Sequence, residues 1–300
     1  MAVRTGAAHL SAQLDSLVAQ THTRWQLVTS DDGSTDDSRA ILQRFAADQA
    51  ALHPVLMVEG SGQGFVRNFL SLLARPDLSG PVALCDQDDI WLPHRLERAL
   101  AHLSALPADR PALYCSRRVN WWSPDNRRRP SRLYARAPGF ANALVENIAP
   151  GNTIVLNDAA LVLARETVAM AADVPFHDWW LYLLISGAGG AVVFDPTPGL
   201  LYRQHSCNVL GQGEGLRAGL AVKHGVLRGD YSARIDSNLH ALGRIAGHLT
   251  PKNRYRLETF RRARAAGLFR RLALMRQAGV FRQGLSARLG FWGAVCFGRI

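Results

Sequence analysis

The sequence lacks the features of a membrane-spanning or disulfide-stabilised protein. No stretch of its 300 residues reaches the roughly 18–20 consecutive apolar residues that a membrane-spanning helix needs. Its start has neither the apolar core nor the cleavage site of a signal peptide. The four cysteines, Cys85, Cys115, Cys207 and Cys296, form no CxxC pair. Neither a zinc site nor a disulfide framework is indicated, and we expect a reducing, cytoplasmic location.

Acidic residues are scarce in the last third of the chain. From residue 216 onward, fifteen Arg and two Lys face three acids, a balance of +14, whereas the first 215 residues sum to −3. Such a tail attracts phosphate groups on a membrane or on nucleic acid, and a solvated helical face is the alternative. No nucleic-acid-binding motif accompanies the arginines. Five apolar residues on one helical face predict peripheral binding to anionic lipid: Leu257, Phe260, Leu268, Leu272 and Met275.

Strand-like and helical periodicities alternate over the first 115 residues. Residues 25–30 and 81–85 are strand-like, and helical spacings precede and follow them. This alternation predicts an α/β fold with a mostly parallel sheet flanked by helices. Further along, a helix opens at His177, residues 191–195 and 200–203 are strand candidates, and the pattern beyond Gly211 is helical.

An acidic cluster at residues 31–37 follows the first of these strands, where parallel sheets bind their ligands. A turn at Gly33 and capping of the next helix explain the second half of the cluster. They do not explain two like charges at Asp31 and Asp32. A carboxylate at this place accepts hydrogen bonds from a ribose or a nucleobase, so Asp32 is a candidate nucleotide-binding residue.

A second acidic cluster, Asp86, Asp88 and Asp89, follows the strand at residues 81–85. Three carboxylates in four residues repel one another unless a cation neutralises them. Hard oxygen ligands select Mg²⁺ or Mn²⁺, which also bind substrate phosphates. The alternative is an acidic loop that caps the next helix.

An acid beside two tryptophans opens the helix at His177. Asp178 is a candidate general base, and Trp179 or Trp180 is a candidate apolar wall for a sugar ring. The alternative makes Asp178 a helix cap and both tryptophans part of the core.

Two further pairs of polar residues are ambiguous from the sequence. Arg203 and His205 suit a diphosphate, but they also suit a polar loop after a strand. Arg67 and Asn68 lie near a helix N-terminus, where they would reach a phosphate or a base, or would face solvent.

Taken in order, these segments resemble the family 2 glycosyltransferases of bacteria, which have the GT-A fold, and most closely their rhamnosyltransferase-like members. The resemblance runs from about Gly6 to Gly211. Its motifs follow in the family's order: residues 13–17 and 20–21, 31–36, 68–73, 86–93, 151–153, 177–180 and 202–205.

The resemblance implies roles for matching positions. Asp32 would bind the uracil or thymine end of the donor. Asp86 and Asp88 would form the DxD pair that holds Mn²⁺ or Mg²⁺, with Asp88 foremost as metal ligand. Asp178 would be the catalytic base.

The same resemblance places Arg203 and His205 in a loop that closes over the diphosphate. It also implies a GT-A domain over residues 1–211, with a nucleotide-sugar-binding half (1–115) and an acceptor half (116–211), before a basic helical region (212–300).

In one respect the chain departs from the family. A full apolar strand is expected before the first helix, but only residues 1–4 precede the loop. Either the start lies upstream, or the sheet and the nucleobase pocket lack a part.

The implied function is an inverting transfer of a sugar, rhamnose by resemblance, from a nucleotide-diphosphate sugar to a glycan or lipid-linked acceptor in cell-surface polysaccharide synthesis. The enzyme would work at the inner face of the membrane. Two alternatives stay open: a nucleotidyltransferase-like metal enzyme, which would release pyrophosphate, and a non-catalytic protein that binds anionic surfaces through its tail. A glycoside hydrolase also uses paired carboxylates, but it needs no nucleotide and no metal, so metal-dependent release of a nucleoside diphosphate would exclude it.

Overall fold

A computed structural model describes residues 1–205 and 230–300. The predicted domain boundary at residue 211 lies outside the described residues. The first part alternates strands with helices: β1 (Ala2–Val3), α1 (Ala7–Val18), β2 (Leu27–Asp31), α2 (Ser38–Gln49), β3 (Val55–Glu59), α3 (Phe65–Leu73), β4 (Val82–Ala83), β5 (Ile90–Trp91) and α4 (Arg95–Ser104).

The middle part is mixed, and the last part is helical. The middle contains β6 (Ala112–Trp122), β7 (Arg127–Pro130), α5 (Phe140–Ala143), β8 (Val155–Leu156), α6 (Asp158–Thr167), α7 (His177–Gly187) and β9 (Ala191–Arg203). The last part contains α8 (Asp230–Arg244), α9 (Pro251–Ala265), α10 (Leu268–Ala278) and α11 (Leu285–Cys296). A 3₁₀ turn at Gly151–Thr153 precedes β8.

The strands form two sheets. The first is wholly parallel, in the order β1-β2-β3. The second is mixed, in the order β4-β8-β6-β9-β5, with β7 added beside β6. Within it β6 and β9 run parallel, whereas β6 and β7 form a hairpin, which only an antiparallel pair permits. The expected parallel sheet is therefore confirmed for the first sheet and the β6–β9 pair, while the second sheet gains antiparallel neighbours.

The two strands predicted at residues 191–195 and 200–203 are one strand, β9. Pro196 and Pro198 lie between them, and the register of β6 against β9 shifts there, opposite Ser116 and Arg117. Proline has no backbone N–H to donate to a neighbouring strand, which explains why the sequence pattern predicted two strands.

The C-terminal helices pack into the same core as α7. Trp180 of α7, Leu242 of α8 and Phe260 of α9 are all buried in that core. Asn253 Nδ2 donates to the carbonyls of Ser186 and Gly187, both at 3.0 Å, and so satisfies groups that the end of α7 leaves open. The tail is therefore packed against the rest of the protein.

The apolar face predicted to bind lipid is an inner face. Leu257, Phe260 and Met275 are 3%, 0% and 0% exposed, and Leu272 packs against the core. Leu268, the fifth residue of the predicted face, is 43% exposed, but protein covers the other four, so the prediction of one continuous lipid-facing side is wrong. No helix in residues 1–205 and 230–300 combines the length and the apolar character needed to cross a bilayer.

A cavity of about 330 Å³ is lined by residues of β2 and β4, among them Leu27, Val28 and Ala83. The short strand β1 pairs only with the last two residues of β2. The Met1 ammonium donates to the Val28 carbonyl at 2.6 Å beside this cavity, and burial lowers its pKa. The cavity therefore lies beside the short strand β1, between residues of β2 and β4.

Four apolar residues fused ahead of Met1 are expected to extend β1 through the cavity. They should raise the free energy of unfolding by about 2–5 kcal/mol, because they bury apolar surface and replace a buried ammonium with an amide. Denaturant unfolding measures the change, with a Gly-Ser-Gly-Ser fusion of equal length as the control. Equal stability of the two fusions would contradict the prediction.

Candidate active site

The acidic segment at residues 86–89 lies between the ends of the two sheets. On one side, the Gln87 side chain pairs with the backbone of Arg4, accepting from its N–H at 2.8 Å and donating to its carbonyl at 3.0 Å. A Cβ on Gly6 would lie 2.4 Å from the end of the Gln87 side chain, so a larger residue there would displace the Gln87 amide from Arg4. The loop after β1 thereby fixes the acidic segment against the first sheet.

On the other side, the end of β9 lies against the same segment. Arg203 donates from Nε to the Asp88 carbonyl at 3.0 Å and from its backbone N–H to Asp89 Oδ1 at 3.3 Å. His205 Nε2 lies 2.7 Å from Asp88 Oδ2. Two residues that the sequence left ambiguous are therefore in direct contact with the acidic cluster.

A single 3₁₀ turn connects the cluster to α7. Asn152 Nδ2 donates to Asp89 Oδ2 at 2.7 Å, and the backbone N–H of Gly151 donates to Asp178 Oδ2 at 3.0 Å. A Cβ on Gly151 would lie 2.8 Å from the ring of His177, so the turn packs tightly against the start of α7. Adjacent residues of one turn thus hold two carboxylates that are distant in the sequence.

Asp178 is the second residue of α7, and its environment suits a base. Its carboxylate accepts from the N–H groups of Gly151 and Trp179. Burial raises its pKa to about 6, against the lowering effect of these hydrogen bonds. A general base works best when its pKa lies near the working pH.

Burial and neighbouring carboxylates raise the pKa of two members of the cluster, Asp86 and Asp89. Burial raises the pKa of Asp86 well above its usual range, and the charges of Asp89, Asp88 and Asp178 add to this effect. Burial, with the charge of Asp88, raises the pKa of Asp89 to about 7. The Arg118 guanidinium opposes these shifts at Asp86, Asp89 and Asp178.

The carboxylates of the cluster suit a divalent cation whose remaining ligands come from a substrate. Among the described residues, no group of three or more His, Cys, Asp or Glu side chains has the geometry to hold a metal alone. Mg²⁺ is commonly bound by one or two carboxylates together with substrate phosphates. Asp86 and Asp88 supply two such carboxylates, and a cation would offset the burial and the repulsion that together raise the pKa of Asp86.

Three predicted donor-binding residues are engaged elsewhere. The buried Asp32 carboxylate accepts from the backbone N–H groups of Gly62 and Gly64, at 2.6 and 2.9 Å, and so anchors the loop after β3. Asn68 is buried, and both ends of its amide bond to Ser30. Arg67 lies 3.9 Å from Asp173 in a loose ion pair. None of these contacts reaches the acidic cluster.

Both tryptophans of the α7 motif belong to the core. Trp179 is 5% exposed and donates from Nε1 to the Ala143 carbonyl at 2.7 Å, and Trp180 is 1% exposed. The structure therefore corrects the prediction of a sugar wall at Trp179 or Trp180 and gives them the core position of the alternative interpretation.

Other aromatic residues take part in the site. Arg203 lies over the Trp121 ring at 4.4 Å, and Arg118 lies over the Tyr202 ring at 3.9 Å. Trp121 and Arg118 come from β6, which runs beside β9. No local sequence pattern marks these residues, because only the parallel pairing of β6 with β9 brings them to the cluster.

Comparison with known proteins identifies the chain. The model of glycosyl transferase family 2 matches residues 4–161, which is more than half of the sequence. The chain belongs to this family. The dTDP-rhamnosyl transferase RfbG of Shigella flexneri is 26% identical over 217 residues, covering 70% of this chain and 73% of that protein. The putative teichuronic acid biosynthesis glycosyltransferase TuaG of Bacillus subtilis is 34% identical over 92 residues, 31% of this chain and 35% of that protein.

Solved structures confirm the GT-A fold of this glycosyltransferase. The mannosyltransferase PcManGT from Pyrobaculum calidifontis, in complex with GDP-Man and Mn²⁺, superposes with a TM-score of 0.51 at 16% identity, covering 93% of this chain and 84% of that one. TarS 1–349 of S. aureus, in complex with UDP, gives 0.53 at 12% identity, with 92% and 88% covered. At these identities the likeness establishes the fold alone.

Replacing Asn152 with alanine is expected to destabilise the glycosyltransferase by about 1–3 kcal/mol at neutral pH, because the buried Asp89 carboxylate loses a hydrogen bond. Denaturant unfolding measures this cost. Ser104→Ala, at an exposed position where the hydroxyl bonds only within its own helix, is the control and should stay within about 0.5 kcal/mol of the parent. An equally small effect for Asn152→Ala would show that this contact does not hold Asp89.

Proposed function

We propose that this glycosyltransferase moves a sugar from a nucleoside-diphosphate donor to an acceptor hydroxyl with inversion, and that Asp178 is the catalytic base. The observation that carries this proposal is the convergence of three distant segments. The segment at residues 86–89, the turn at residues 151–153 and the end of β9 all meet around the same carboxylates. No requirement of folding stability explains so many like charges in one place.

The donor's diphosphate is proposed to lie against Asp86 and Asp88. A divalent cation held by these two carboxylates would supply Lewis-acid stabilisation of the charge that develops on the leaving diphosphate. Mn²⁺ in the complex of PcManGT supports this choice of cofactor. Arg203, which contacts Asp88, and Arg118, which faces the cluster, would bring positive charge to the same group, and the His205 ring, also in contact with Asp88, would offer it a hydrogen bond.

The chemistry needs one base on the acceptor side. The acceptor oxygen attacks the anomeric carbon and forms the new glycosidic bond, while the bond from that carbon to the diphosphate oxygen breaks. The bonding electrons leave with the nucleoside diphosphate, and Asp178 takes the proton of the acceptor hydroxyl. A single displacement of this kind inverts the anomeric centre and needs no covalent sugar–enzyme intermediate.

The proposed sugar and acceptor rest on the relatives. Similarity to a dTDP-rhamnosyl transferase supports a deoxythymidine-diphosphate donor and rhamnose. Similarity to a putative teichuronic acid biosynthesis enzyme supports a role in building a cell-surface polysaccharide. The acceptor is then a glycan or a lipid-linked precursor, and transfer takes place in the cytoplasm at the inner face of the membrane.

The proposal is tested by nucleoside diphosphate release from a panel of UDP- and dTDP-sugars, with Mn²⁺, Mg²⁺ or EDTA. Slow hydrolysis of one donor is expected, and EDTA should abolish it. Release of pyrophosphate instead would favour a nucleotidyltransferase. No turnover of any donor, with a lipid-linked acceptor present and with β1 extended as described above, would overturn the proposal.

Replacing Asp178 with asparagine is expected to lower the transfer rate about 10²–10⁴-fold, because the acceptor proton loses its base. Donor affinity should change less than about threefold, since Asp178 is not proposed to bind the diphosphate. Asp173→Asn, a nearby exposed carboxylate, is the matched control and should behave as the parent.

The pH profile provides a second readout for Asp178. The base accepts a proton only when it is ionised, and its pKa is raised to about 6. In the parent, kcat/KM should therefore fall about tenfold per pH unit below pH ~6. A flat profile between about pH 5 and pH 7, or normal turnover by Asp178→Asn, would show that another group is the base.

A further inference from the structure

The last two helices expose apolar side chains that a water-facing surface rarely carries. Phe269 on α10 is 86% exposed, Leu285 and Leu289 on α11 are 70% and 65% exposed, and Phe297 just beyond α11 is 83% exposed. Single exposed apolar residues are ordinary, but large aromatic and aliphatic groups clustered on one unit indicate an interaction site. These four residues are called the apolar surface below.

The helical periodicity places these residues on the outer face of the helix pair. On α11, Leu285 and Leu289 are four residues apart, and Trp292 and Cys296 continue the same stripe at helical spacing. The inner face of α11 is buried at Phe291 and Val295. Helix α11 is therefore apolar on its outer side as well as on its buried inner side.

The two helices run side by side in opposite directions. Near the start of α10, Arg271 Nη1 donates to the Val295 carbonyl near the end of α11, at 3.0 Å. Further along α10, Arg276 lies over the Trp292 ring at 5.6 Å. Phe269 and Phe297 therefore lie at one end of the pair, and Leu285 lies toward the other.

Positive charge surrounds the apolar surface, and no acid interrupts it. Residues 259–300 contain nine Arg and no Asp, Glu or Lys. Arg270, Arg276, Arg288 and Arg299 are exposed. Within the described part of the chain, the ion pairs formed by residues 259–300 are those of Arg264 with Asp236 and of Arg282 with Glu146, so these four guanidinium groups have no carboxylate partner there.

The turn between α10 and α11 is fixed to the acceptor side of the site. The backbone N–H of Gln283 donates to the buried Glu146 carboxylate, and Asn142 Nδ2 donates to the Phe281 carbonyl at 2.9 Å. Asn147, next to Glu146, hydrogen-bonds to Asp178. The apolar surface is therefore attached through a short, packed segment to the proposed catalytic base.

We propose that the apolar surface and its arginines dock the protein on an anionic lipid bilayer. Exposed Phe and Leu side chains enter the headgroup region, and the arginines bind lipid phosphates, which is the pairing that interfacial helices use. This surface is different from the face that the sequence suggested, which the core covers. The inference goes beyond the proposed sugar transfer, and rests on it only for the link to a lipid-linked acceptor.

Co-sedimentation with vesicles tests the docking. The protein should bind phosphatidylcholine vesicles that contain about 30% phosphatidylglycerol, and not phosphatidylcholine alone. Binding should weaken at least about tenfold between roughly 0.1 and 0.5 M salt, because the arginine contacts are screened. Replacing the apolar surface by serine (F269S/L285S/L289S/F297S) should also lower the partition coefficient at least about tenfold.

Matched controls separate docking from general surface effects. L52S/L133S removes two exposed leucines elsewhere, and R24Q/R44Q removes two exposed arginines elsewhere, and neither pair should alter binding. R270Q/R276Q/R288Q/R299Q should reduce it as strongly as the serine variant. Circular dichroism must show the parental melting temperature in each variant. Donor hydrolysis in solution should be unchanged in all of them, so a failure of docking is distinct from a failure of catalysis.

Four results would overturn the proposal. One is a parent protein that stays in solution with anionic vesicles, and another is a serine variant that binds them as the parent does. The third is light scattering that shows a lipid-free dimer which the serine substitutions dissociate, because the apolar surface would then be an interface between two copies. The fourth is nucleic acid that binds more tightly than the vesicles through the same four arginines, because their positive charge would then serve a different partner.

Discussion

Repulsion among carboxylates is the constraint on which the rest of the site depends. Asp86, Asp88, Asp89 and Asp178 are held together at partly or fully buried positions, where each charge raises the cost of the next. The fold offsets this cost locally with the Asn152 amide, the end of β9 and the Arg118 guanidinium. Several carboxylates held together despite their repulsion are typical of a site that binds a positively charged ligand or transfers a proton.

The two sheets serve this arrangement in different ways. The parallel sheet presents its strand ends and loops, and through the Gln87–Arg4 pairing it fixes the acidic segment in position. The mixed sheet brings β6 and β9 side by side, so that Arg118 and Arg203 reach the same carboxylates. The C-terminal helices close the core behind α7 and thereby hold Asp178, which projects from the first turn of that helix.

Local signals in the sequence were enough to predict the α/β fold, the acidic segment after β4 and the helix that carries Asp178. They do not suffice where tertiary packing decides. Asp32 and Asn68 lie at the expected strand and helix ends, where their side chains bond to neighbouring loops and strands, and their roles in donor binding stay predictions. Trp179 and Trp180 sit on a helix that is buried on all sides, so its sequence has no polar face to mark which aromatic is accessible.

The C-terminal region shows the same limit in another form. Helical spacing identified an apolar face through Leu257 and Phe260, but periodicity alone cannot say whether protein or lipid covers it. The core covers that face, and the exposed residues Phe269 and Phe297 lie elsewhere. Similarly, the contact between Asn152 and Asp89 spans 63 positions in the sequence, which no local pattern predicts.

The most direct test of the central claim is a calorimetric titration of UDP and dTDP into the glycosyltransferase, with Mn²⁺ and with EDTA, beside Asp88→Asn. If the carboxylates hold the diphosphate through a cation, the parent should bind one nucleotide at least about tenfold more tightly with Mn²⁺, a difference of about 1.4 kcal/mol. Asp88→Asn should lose that difference while it keeps the parental fold. Equal affinities with Mn²⁺ and EDTA in the parent, or a full metal effect in Asp88→Asn, would contradict the assignment of the acidic cluster.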